Sequence, residues 1–310
     1  MHVRWPFWVF LSAMLLPGVM GEALPEAAEG SRAVRVLQTE GGVRFGIWGE
    51  KSDEPGPTLF VLASTIEETL GDTYYRQSGS ALAEWGYLSV SVDLPCHGLQ
   101  QRPDEPGGLG GWRARSERNE DFVAESNARL REVLDHLIRA GYTDAERVAA
   151  CGTSRGGFLA LHFAASDSRV KCVAAFAPVT ELGALREFEG ATEHPLVGKL
   201  ALANQAEKLA GRAVWLVIGD QDERVGTDHT ISLARRITAA SLASRVPSRV
   251  ELHVMPEPRG HTTPSGAAQR AAEWIRRQIE SPTPESQNAP DRKASQLQDS
   301  VYFVHTTRSL

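Results

Sequence analysis

One serine of this sequence stands in a setting that suits nucleophilic chemistry. The pentapeptide Gly152-Thr-Ser154-Arg-Gly156 fits the pattern Gly-x-Ser-x-Gly, which occurs once in the chain. An apolar run at 148–151 leads directly into it, and a stretch rich in alanine and leucine follows it. This order predicts a strand, a sharp turn and a helix, an arrangement that presents a serine hydroxyl at the edge of a sheet. A simple helix N-cap is the alternative interpretation of Ser154.

A base is required next, because a serine hydroxyl attacks efficiently near neutral pH only when a base lies within hydrogen-bond reach and a third group holds that base. We predict His261 as the base, since it lies in a loop just after the last predicted strand, at the sheet edge where ligands bind. His253 alternates with apolar residues in that strand, His229 opens a predicted helix, and His305 lies near the C-terminus. We interpret these three as structural or surface residues.

Two carboxylates, Asp220 and Asp222, follow the apolar run at 214–219. Asp222 fits the pattern Gly-x-x-Asp-x-x-Val through Gly219 and Val225, so we predict Asp222 as the acid of the site. Its carboxylate would fix the tautomer of the base and stabilise the imidazolium that forms during reaction. Asp220 is the alternative acid, and is otherwise a turn residue that binds its own backbone.

Two backbone N–H groups are needed to stabilise an oxyanion in such a site. We expect one from Arg155, the residue after the nucleophile, and the other from Thr65, in the turn after the apolar run at 58–63. The Arg155 side chain has two candidate partners, a substrate carboxylate or an acidic residue on its own helix face.

Short apolar runs alternate with longer amphipathic stretches from residue 33 onwards. Such alternation of strands and helices requires a mainly parallel sheet with helices on both faces. We therefore predict the α/β class, with a mostly parallel central sheet of about eight strands and a long Gly- and Pro-rich loop at 94–118. The predicted strands span 34–39, 43–48, 58–63, 87–93, 148–152, 170–177, 214–219 and 250–255. The predicted helices span 74–85, 119–140, 155–165, 228–243 and 265–279.

The two ends of the chain differ in composition from the part between them. Residues 1–23 combine Arg4 with an apolar, proline-containing run and small residues, which predicts a signal peptide and export to the periplasm or the exterior. An uncleaved membrane anchor is the alternative. Residues 24–280 form the predicted α/β domain, with a short lid insertion at about 178–208. Residues 281–310 begin with a polar, Pro- and Ser-containing stretch and are predicted to be disordered.

The composition argues against several classes of partner. A formal net charge of −6 disfavours nucleic acid, which binds basic surfaces. The nine histidines and three cysteines show no zinc-type spacing, so we predict neither a metal nor another cofactor. The spacing does not predict a disulfide framework for Cys96, Cys151 and Cys172, and a Cys151–Cys172 disulfide is the alternative. We expect a small-molecule substrate and no membrane span once the signal peptide is removed.

From about residue 33 to residue 280 the sequence resembles the α/β-hydrolase superfamily, nearer its dienelactone-hydrolase and prolyl-oligopeptidase-like branches than its lipases. The likeness rests on three segments, which are Gly-Thr-Ser154-Arg-Gly-Gly-Phe, Gly219-Asp-Gln-Asp222-Glu-Arg-Val and Gly260-His261. The resemblance implies that Ser154, Asp222 and His261 act as nucleophile, acid and base.

A fourth segment and two departures refine the resemblance. Asp93-Leu-Pro-Cys-His97-Gly is similar to the family's loop after its fourth strand, in which the histidine is a structural or rim residue. Many relatives carry His-Gly or a Gly-rich turn after the third strand, where this chain has Ala63-Ser-Thr-Ile. That departure leaves the second oxyanion donor open. Dienelactone hydrolases carry cysteine as the nucleophile, so Ser154 disfavours their particular activity.

The sequence and its resemblance together favour a serine hydrolase that cleaves carboxylic esters through an acyl-enzyme on Ser154. A serine peptidase of the prolyl-oligopeptidase kind is the second hypothesis, but such enzymes usually carry a large propeller domain, for which this chain is too short. The third is a binding protein without activity, because a fold does not by itself confer catalysis. The segments 94–118 and 178–208 are short, which favours a modest lid and a small acyl group.

Overall fold

The computed structural model describes residues 33–280. The predicted signal peptide at 1–23 and the predicted tail at 281–310 lie outside the described residues, so both stay predictions. Eight strands of the described chain form one sheet: β1 (Arg35–Gln38), β2 (Arg44–Trp48), β3 (Gly56–Leu62), β4 (Leu88–Ser91), β5 (Thr143–Thr153), β6 (Val170–Phe176), β7 (Ala213–Gly219) and β8 (Arg249–Met255).

The same residues form eight α-helices: α1 (Ile66–Gly71), α2 (Thr73–Ala83), α3 (Gly108–Glu117), α4 (Phe122–Arg139), α5 (Arg155–Ser166), α6 (Pro195–Lys199), α7 (Thr227–Ala243) and α8 (Ala267–Glu280). Short 3₁₀ turns lie at Gly98–Gln100, Leu182–Ala184, Arg186–Phe188 and Leu202–Gln205. Helices follow strands along most of the chain, as the alternating pattern of the sequence requires.

The order of strands in the sheet is β1-β2-β4-β3-β5-β6-β7-β8. β2 pairs antiparallel with β1 and β4, and every pair from β4 to β8 is parallel. The carboxyl ends of β3 to β8 therefore meet at one edge of the sheet, where functional loops gather in this class of protein. This topology confirms the α/β class with a mostly parallel eight-stranded sheet.

Burial explains why the central strands read as continuous apolar runs. All residues of β7, and all but the first of β3, are buried, because helices cover both faces of the sheet. β8 is partly exposed along its length, since it is an edge strand. The central strands thus form a rigid platform for the loops at their carboxyl ends.

Each face of the sheet has its own apolar cluster. α1, α2 and α8 pack on one face, where Trp215 and Trp274 are fully buried. α3, α4, α5 and α7 pack on the other face, where Trp112 stacks on Phe122 with ring centroids 4.7 Å apart. Two layers of helices around the sheet thus bury one apolar cluster on each of its faces.

The prediction of one long loop at 94–118 is wrong, because this segment contains α3. Glycines lower helix propensity, but tertiary packing overrides that preference here. A Cβ at Gly111 would lie 2.6 Å from the sulfur of Cys96, so this glycine lets the helix approach the preceding loop. Trp112 donates a hydrogen bond from its indole N–H to the carbonyl oxygen of Pro95 at 2.7 Å. The short helix α1 was also absent from the predicted elements.

Three further sequence predictions concern a disulfide, a membrane span and a metal site. Cys96, Cys151 and Cys172 are buried free thiols, and burial raises the pKa of Cys151 to about 12. No helix within residues 33–280 is long and apolar enough to cross a membrane. In that same range, no three His, Cys, Asp or Glu side chains are grouped so that they could hold a metal ion.

Candidate active site

The turn between β5 and α5 holds Ser154 in a strained backbone conformation. Its φ is 55° and its ψ is −115°, a region that costs an L-residue about 1–3 kcal/mol. A Cβ at position 156 would lie 1.8 Å from the carbonyl oxygen of Leu62, and a Cβ at position 152 would lie 2.3 Å from the backbone of Gly156. The two glycines of the motif are therefore needed for the turn to fit against β3 and α5.

Backbone hydrogen bonds fix this turn on both sides. The N–H of Ser154 donates to the carbonyl oxygen of Phe176 at 2.8 Å, and its own carbonyl oxygen accepts from the N–H groups of Phe158 and Val179. Ser154 occupies the N-cap position of α5, but its hydroxyl makes no capping hydrogen bond. The N-cap interpretation of this side chain is wrong, because the hydroxyl is directed to another partner.

That partner is His261, in the loop after β8. The Nε2 atom of His261 lies 2.9 Å from the Oγ atom of Ser154, and its Nδ1 atom lies 2.8 Å from the Oδ2 atom of Asp222. A carboxylate only accepts hydrogen bonds, so Nδ1 carries the proton of the neutral ring. Nε2 is then the acceptor for the serine hydroxyl, which is the tautomer that a general base requires.

The Asp222 carboxylate is buried and its hydrogen bonds are satisfied. The side chain is 0% exposed, and its Oδ1 atom accepts from the N–H groups of Arg224 and Val225 at 3.1 and 3.2 Å. A buried carboxylate is expensive unless it is paired and hydrogen-bonded, and this one is both. The loop after β7 thus holds the carboxylate in one orientation toward His261.

The structure separates Asp222 from its alternative. The Oδ1 atom of Asp220 accepts the N–H of Glu257 at 2.9 Å, and the N–H of Asp220 donates to the carbonyl oxygen of Met255 at 2.8 Å. Asp220 therefore joins the ends of β7 and β8 and makes no hydrogen bond to His261. The structure brings together Ser154, Asp222 and His261 as a hydrogen-bonded chain. Their catalytic roles stay a prediction.

The other histidines of the described chain lie in different surroundings. The ring of His253 packs on Trp215 at 4.9 Å, and His229 is exposed at the start of α7. His97 is buried, and its Nδ1 atom lies 2.9 Å from the carbonyl oxygen of Pro95. Burial, followed by the nearby Arg155, holds the pKa of His97 below its usual value. His305 lies outside the described residues.

The turn after β3 is where the second oxyanion donor is predicted. The N–H of Ser64 donates to Thr69 Oγ1 at 3.0 Å, and the N–H of Ile66 donates to Asp93 Oδ1 at 2.9 Å. Thr65 caps α1 with its hydroxyl, which accepts from a backbone N–H of the first turn. Within residues 33–280, the N–H of Thr65 makes no hydrogen bond. It is thus free to donate, and its oxyanion role stays a prediction.

Arg155 contributes to the same corner of the site. It is the first residue of α5, so no helical carbonyl accepts its backbone N–H. Its Nε atom donates to the carbonyl oxygen of Ala63 at 3.0 Å, and it forms no ion pair with an acidic side chain among residues 33–280. The guanidinium therefore joins the start of α5 to the end of β3. A substrate carboxylate as its partner stays a prediction.

A cavity of about 190 Å³ opens beside the serine hydroxyl. Ser154 and His261 line it together with two aromatic residues from the start of α2, Tyr74 and Tyr75. Ala63 forms part of its wall, whereas Thr65 is not among the residues that line it. None of the lining residues belongs to the segments 94–118 and 178–208, so a lid role for either stays a prediction.

Comparisons with known proteins concern the family and the fold. The model of the prolyl oligopeptidase family matches residues 128–280, a range that contains Ser154, Asp222 and His261. A comparison with curated protein sequences gives no significant match. Acetyl xylan esterase 1 from Thermoanaerobacterium sp. JW/SL YS485 has a similar structure, with a TM-score of 0.56 and 17% identity, over 80% of this chain and 88% of that one.

The chain has the fold of the α/β-hydrolases. Two further structures share this fold. The Pyrococcus furiosus esterase Pf2001 has a TM-score of 0.54 and 18% identity, over 85% of this chain and 96% of that one. A Bacteroides ovatus ATCC 8483 protein named as a dipeptidyl aminopeptidase IV has a TM-score of 0.57 and 17% identity, over 81% of this chain. This chain covers only 36% of that longer protein.

Two tyrosines beside Ser154 carry no signal in the sequence. Tyr74 and Tyr75 were predicted only as the start of a helix, yet both line the cavity. Burial is the main reason that the pKa of Tyr75 is raised, with the nearby Glu68 acting in the same direction. No local pattern signals such residues, because α2 reaches the site only through the tertiary fold.

The arrangement is suited to proton transfer from a hydroxyl to an imidazole. The hydroxyl of Ser154 is aligned with Nε2 of His261 at a normal hydrogen-bond distance. The buried carboxylate of Asp222 lies on the far side of the ring and would stabilise its protonated form. The family match and this geometry together support hydrolase activity.

Proposed function

We propose that this α/β-hydrolase is a serine esterase, which cleaves carboxylic esters through an acyl-enzyme on Ser154. The observation that carries the proposal is the continuous hydrogen-bond chain from Asp222 through His261 to Ser154. The esterases among the similar structures agree with it, although they share only the fold with this chain.

The proposed reaction uses each of these groups in turn. The Oγ atom of Ser154 attacks the ester carbonyl carbon while Nε2 of His261 takes the hydroxyl proton. The carbonyl oxygen becomes an oxyanion, which accepts hydrogen bonds from the N–H groups of Arg155 and Thr65. The tetrahedral intermediate collapses, and His261 returns the proton to the leaving alcohol. The imidazolium that exists between these steps is stabilised by Asp222.

A second half-reaction restores the enzyme. Water attacks the acyl carbon of the ester on Ser154 while His261 takes one of its protons. The second tetrahedral intermediate expels the Oγ atom of Ser154, which regains its proton from the imidazolium. The products are one alcohol and one carboxylic acid for each ester and water consumed.

The size of the cavity favours a short acyl group. Its volume of about 190 Å³ includes the space above Ser154, and the two tyrosines and Ala63 limit it. We propose acetyl and similarly short acyl esters as the substrates. A larger acyl chain would have to displace the aromatic walls or extend into solvent.

A peptidase of the prolyl oligopeptidase kind is the second candidate, because that family's model matches residues 128–280. Amide bonds have poorer leaving groups than activated esters. The cavity beside Ser154 is also small, at about 190 Å³, so we favour the ester. An inactive binding protein with the same fold is the third candidate.

Initial rates on three chromogenic substrates separate these candidates. The full chain should hydrolyse p-nitrophenyl acetate faster than p-nitrophenyl decanoate, and both faster than a prolyl p-nitroanilide. Ser154→Ala should abolish the ester activity. Faster cleavage of the anilide would establish the peptidase in place of the esterase. Absence of all three activities from folded protein would favour the binding protein.

A further inference from the structure

The hydroxyl of Tyr74 reaches from α2 to the loop that carries His261. It accepts the backbone N–H of Thr263 at 2.9 Å. It also lies 3.1 Å from the Oγ1 atom of Thr262 and 3.3 Å from the Oγ1 atom of Thr263, and it donates its proton to one of them. The phenol oxygen of Tyr74 thus hydrogen-bonds to Thr262 and Thr263, the two residues that directly follow His261.

The loop between β8 and α8 depends on such outside contacts. It is irregular, and Gly260 adopts a φ of +76° beside the histidine. The N–H of Thr262 donates back to the carbonyl oxygen of Gly260, which is a contact within the loop. Among the described residues, Tyr74 is the only residue outside this loop that hydrogen-bonds to Thr262 or Thr263.

Tyr74 is itself held firmly. Its backbone N–H donates to the Oδ1 atom of Asp72, which caps the start of α2. Its ring lies edge-to-face with the ring of Tyr75, with centroids 5.2 Å apart. Further along α2, the hydroxyl of Ser78 donates to the carbonyl oxygen of Ala268 at 2.9 Å, which joins α2 to α8. Although Tyr74 is 38% exposed, its backbone and its ring are therefore anchored beside the loop that its hydroxyl contacts.

We propose that Tyr74 is a positioning residue, which holds the loop so that the imidazole of His261 stays aligned with Ser154. The inference rests on the proposed function, since it assigns the alignment a catalytic purpose. Asp222 holds only the far nitrogen of the ring, and rotation about that contact would carry Nε2 away from the hydroxyl. A misplacement of about 1 Å at reacting atoms can cost about a hundredfold in rate.

Tyr74→Phe tests the proposal, because it removes the hydroxyl and keeps the ring. Tyr87→Phe is a matched control: the Tyr87 hydroxyl is buried, and it has no hydrogen-bond partner in the part of the chain that the structure describes. With p-nitrophenyl acetate, Tyr74→Phe should lower kcat about ten- to a hundredfold and change KM less than about twofold. Tyr87→Phe should keep the kcat of the wild type.

A second readout does not depend on activity. The proton between His261 Nδ1 and Asp222 should give a low-field signal in the proton NMR spectrum, and this assignment is checked with His261→Ala. Tyr74→Phe should broaden or remove the signal while the chain stays folded by circular dichroism. Thr262→Val, which leaves the N–H of Thr263 bonded to the phenol, should have a smaller effect on kcat.

The outcomes for Tyr74→Phe and Tyr87→Phe distinguish a positioning role of Tyr74 from its absence. A sharp, unshifted signal together with wild-type kcat in Tyr74→Phe would overturn the positioning role. A fall in kcat that Tyr87→Phe reproduces would also overturn it, because the effect would then come from removing a phenol oxygen in general. If the wild type cleaves no ester, the esterase proposal fails on its own, and the NMR comparison still decides whether Tyr74 orders His261.

Discussion

The Nε2 atom of His261 lies 2.9 Å from the Oγ atom of Ser154, although the two residues are 107 positions apart in the sequence. The parallel sheet makes this contact possible, because β5 and β8 end at the same edge of the sheet. β7 lies between β6 and β8 and brings Asp222 to the other side of the ring. The ends of β5, β7 and β8 therefore determine the site together, although each strand is formed by its own stretch of sequence.

Asp222→Asn should lower kcat for p-nitrophenyl acetate by about ten-thousandfold. The amide can still accept the N–H groups of Arg224 and Val225, but it would present a donor to Nδ1 and stabilise the wrong imidazole tautomer. Asp220→Asn is the matched control, since its amide oxygen can still accept the N–H of Glu257. It should stay within about threefold of the wild type.

Steady-state kinetics on the two purified variants decides between the carboxylates. Equal losses in both variants, or a larger loss in Asp220→Asn, would remove Asp222 from the proposed role.

Thr65→Pro should lower kcat about a hundred- to a thousandfold, because proline has no backbone N–H to donate to the oxyanion. The φ of Thr65 is −79°, which proline adopts without strain. Thr65→Ala is the control, since it also loses the hydroxyl that caps α1 but keeps the N–H. Both variants should lose about 1 kcal/mol of stability through the cap.

The kcat values of Thr65→Pro and Thr65→Ala must be compared, because both variants lose the capping hydroxyl and only Thr65→Pro loses the N–H. If Thr65→Pro and Thr65→Ala have the same kcat, another group near β3 supplies the second donor.

The sequence could predict the parts of the site that have a local pattern. A Cβ at Gly152 would meet the backbone of Gly156 within the strand-turn-helix unit, and a Cβ at Gly156 would meet Leu62 of β3. A short motif signals both glycines, although the second contact is tertiary. The choice of Asp222 over Asp220 rested on motif spacing alone. The structure adds the reason, which is that the Asp220 carboxylate binds the backbone of Glu257.

Other features depend on contacts that no local pattern records. Tyr74 and Thr263 are 189 positions apart, and nothing in the sequence around Tyr74 indicates that its hydroxyl reaches the other loop. α3 was missed because glycines at its start favour a loop, whereas its stability comes from Trp112 and Arg115 packed against distant residues. Tertiary contacts outweigh helix propensity there.

The stability of the wild type should fall as the pH falls from 6.5 towards 4, in part because of His162. Burial lowers the pKa of this ring to about 4, and its Nε2 atom lies 3.0 Å from the carbonyl oxygen of Leu200. The folded state holds the ring neutral, whereas the unfolded chain binds a proton below pH 6.5. The free energy that His162 contributes is therefore complete above pH 6.5 and is lost towards pH 4.

Urea unfolding of the wild type and of His162→Gln at pH 7 and pH 4.5 measures this contribution. The amide of the variant can still donate to the carbonyl oxygen of Leu200. Between pH 7 and pH 4.5, the free energy of unfolding of the wild type should fall by about 2–3 kcal/mol more than that of the variant. Parallel losses in both proteins would show that other groups cause the pH dependence.

Glu105→Gln should destabilise the fold by about 3 kcal/mol at pH 7, because the buried guanidinium of Arg115 would lose its buried counter-charge and keep only the exposed carboxylate of Glu125 at 3.3 Å. The carboxylate accepts from Arg115 Nη2 at 2.7 Å and from Nε at 3.1 Å, and both side chains are almost fully buried. The hydrogen bond from Arg115 is the main reason that the pKa of Glu105 is lowered to about 2.

Glu117→Gln is the control for that measurement, since the ion pair of Glu117 with Arg113 on the same helix is exposed. Exposed pairs contribute little, so this variant should stay within about 0.5 kcal/mol of the wild type in urea unfolding. Similar values for the two variants would contradict a buried structural role for Glu105.

The most direct test of the account is covalent labelling of the full chain with a fluorophosphonate, followed by mass spectrometry of the tryptic peptide 148–155. The label should be found on Ser154 of the wild type, and it should be absent from Ser154→Ala. His261→Ala should react far more slowly, because the hydroxyl would lack its base. A wild-type chain that stays unlabelled, or a Ser154→Ala chain labelled at the wild-type rate, would contradict the assignment of Ser154 as the nucleophile.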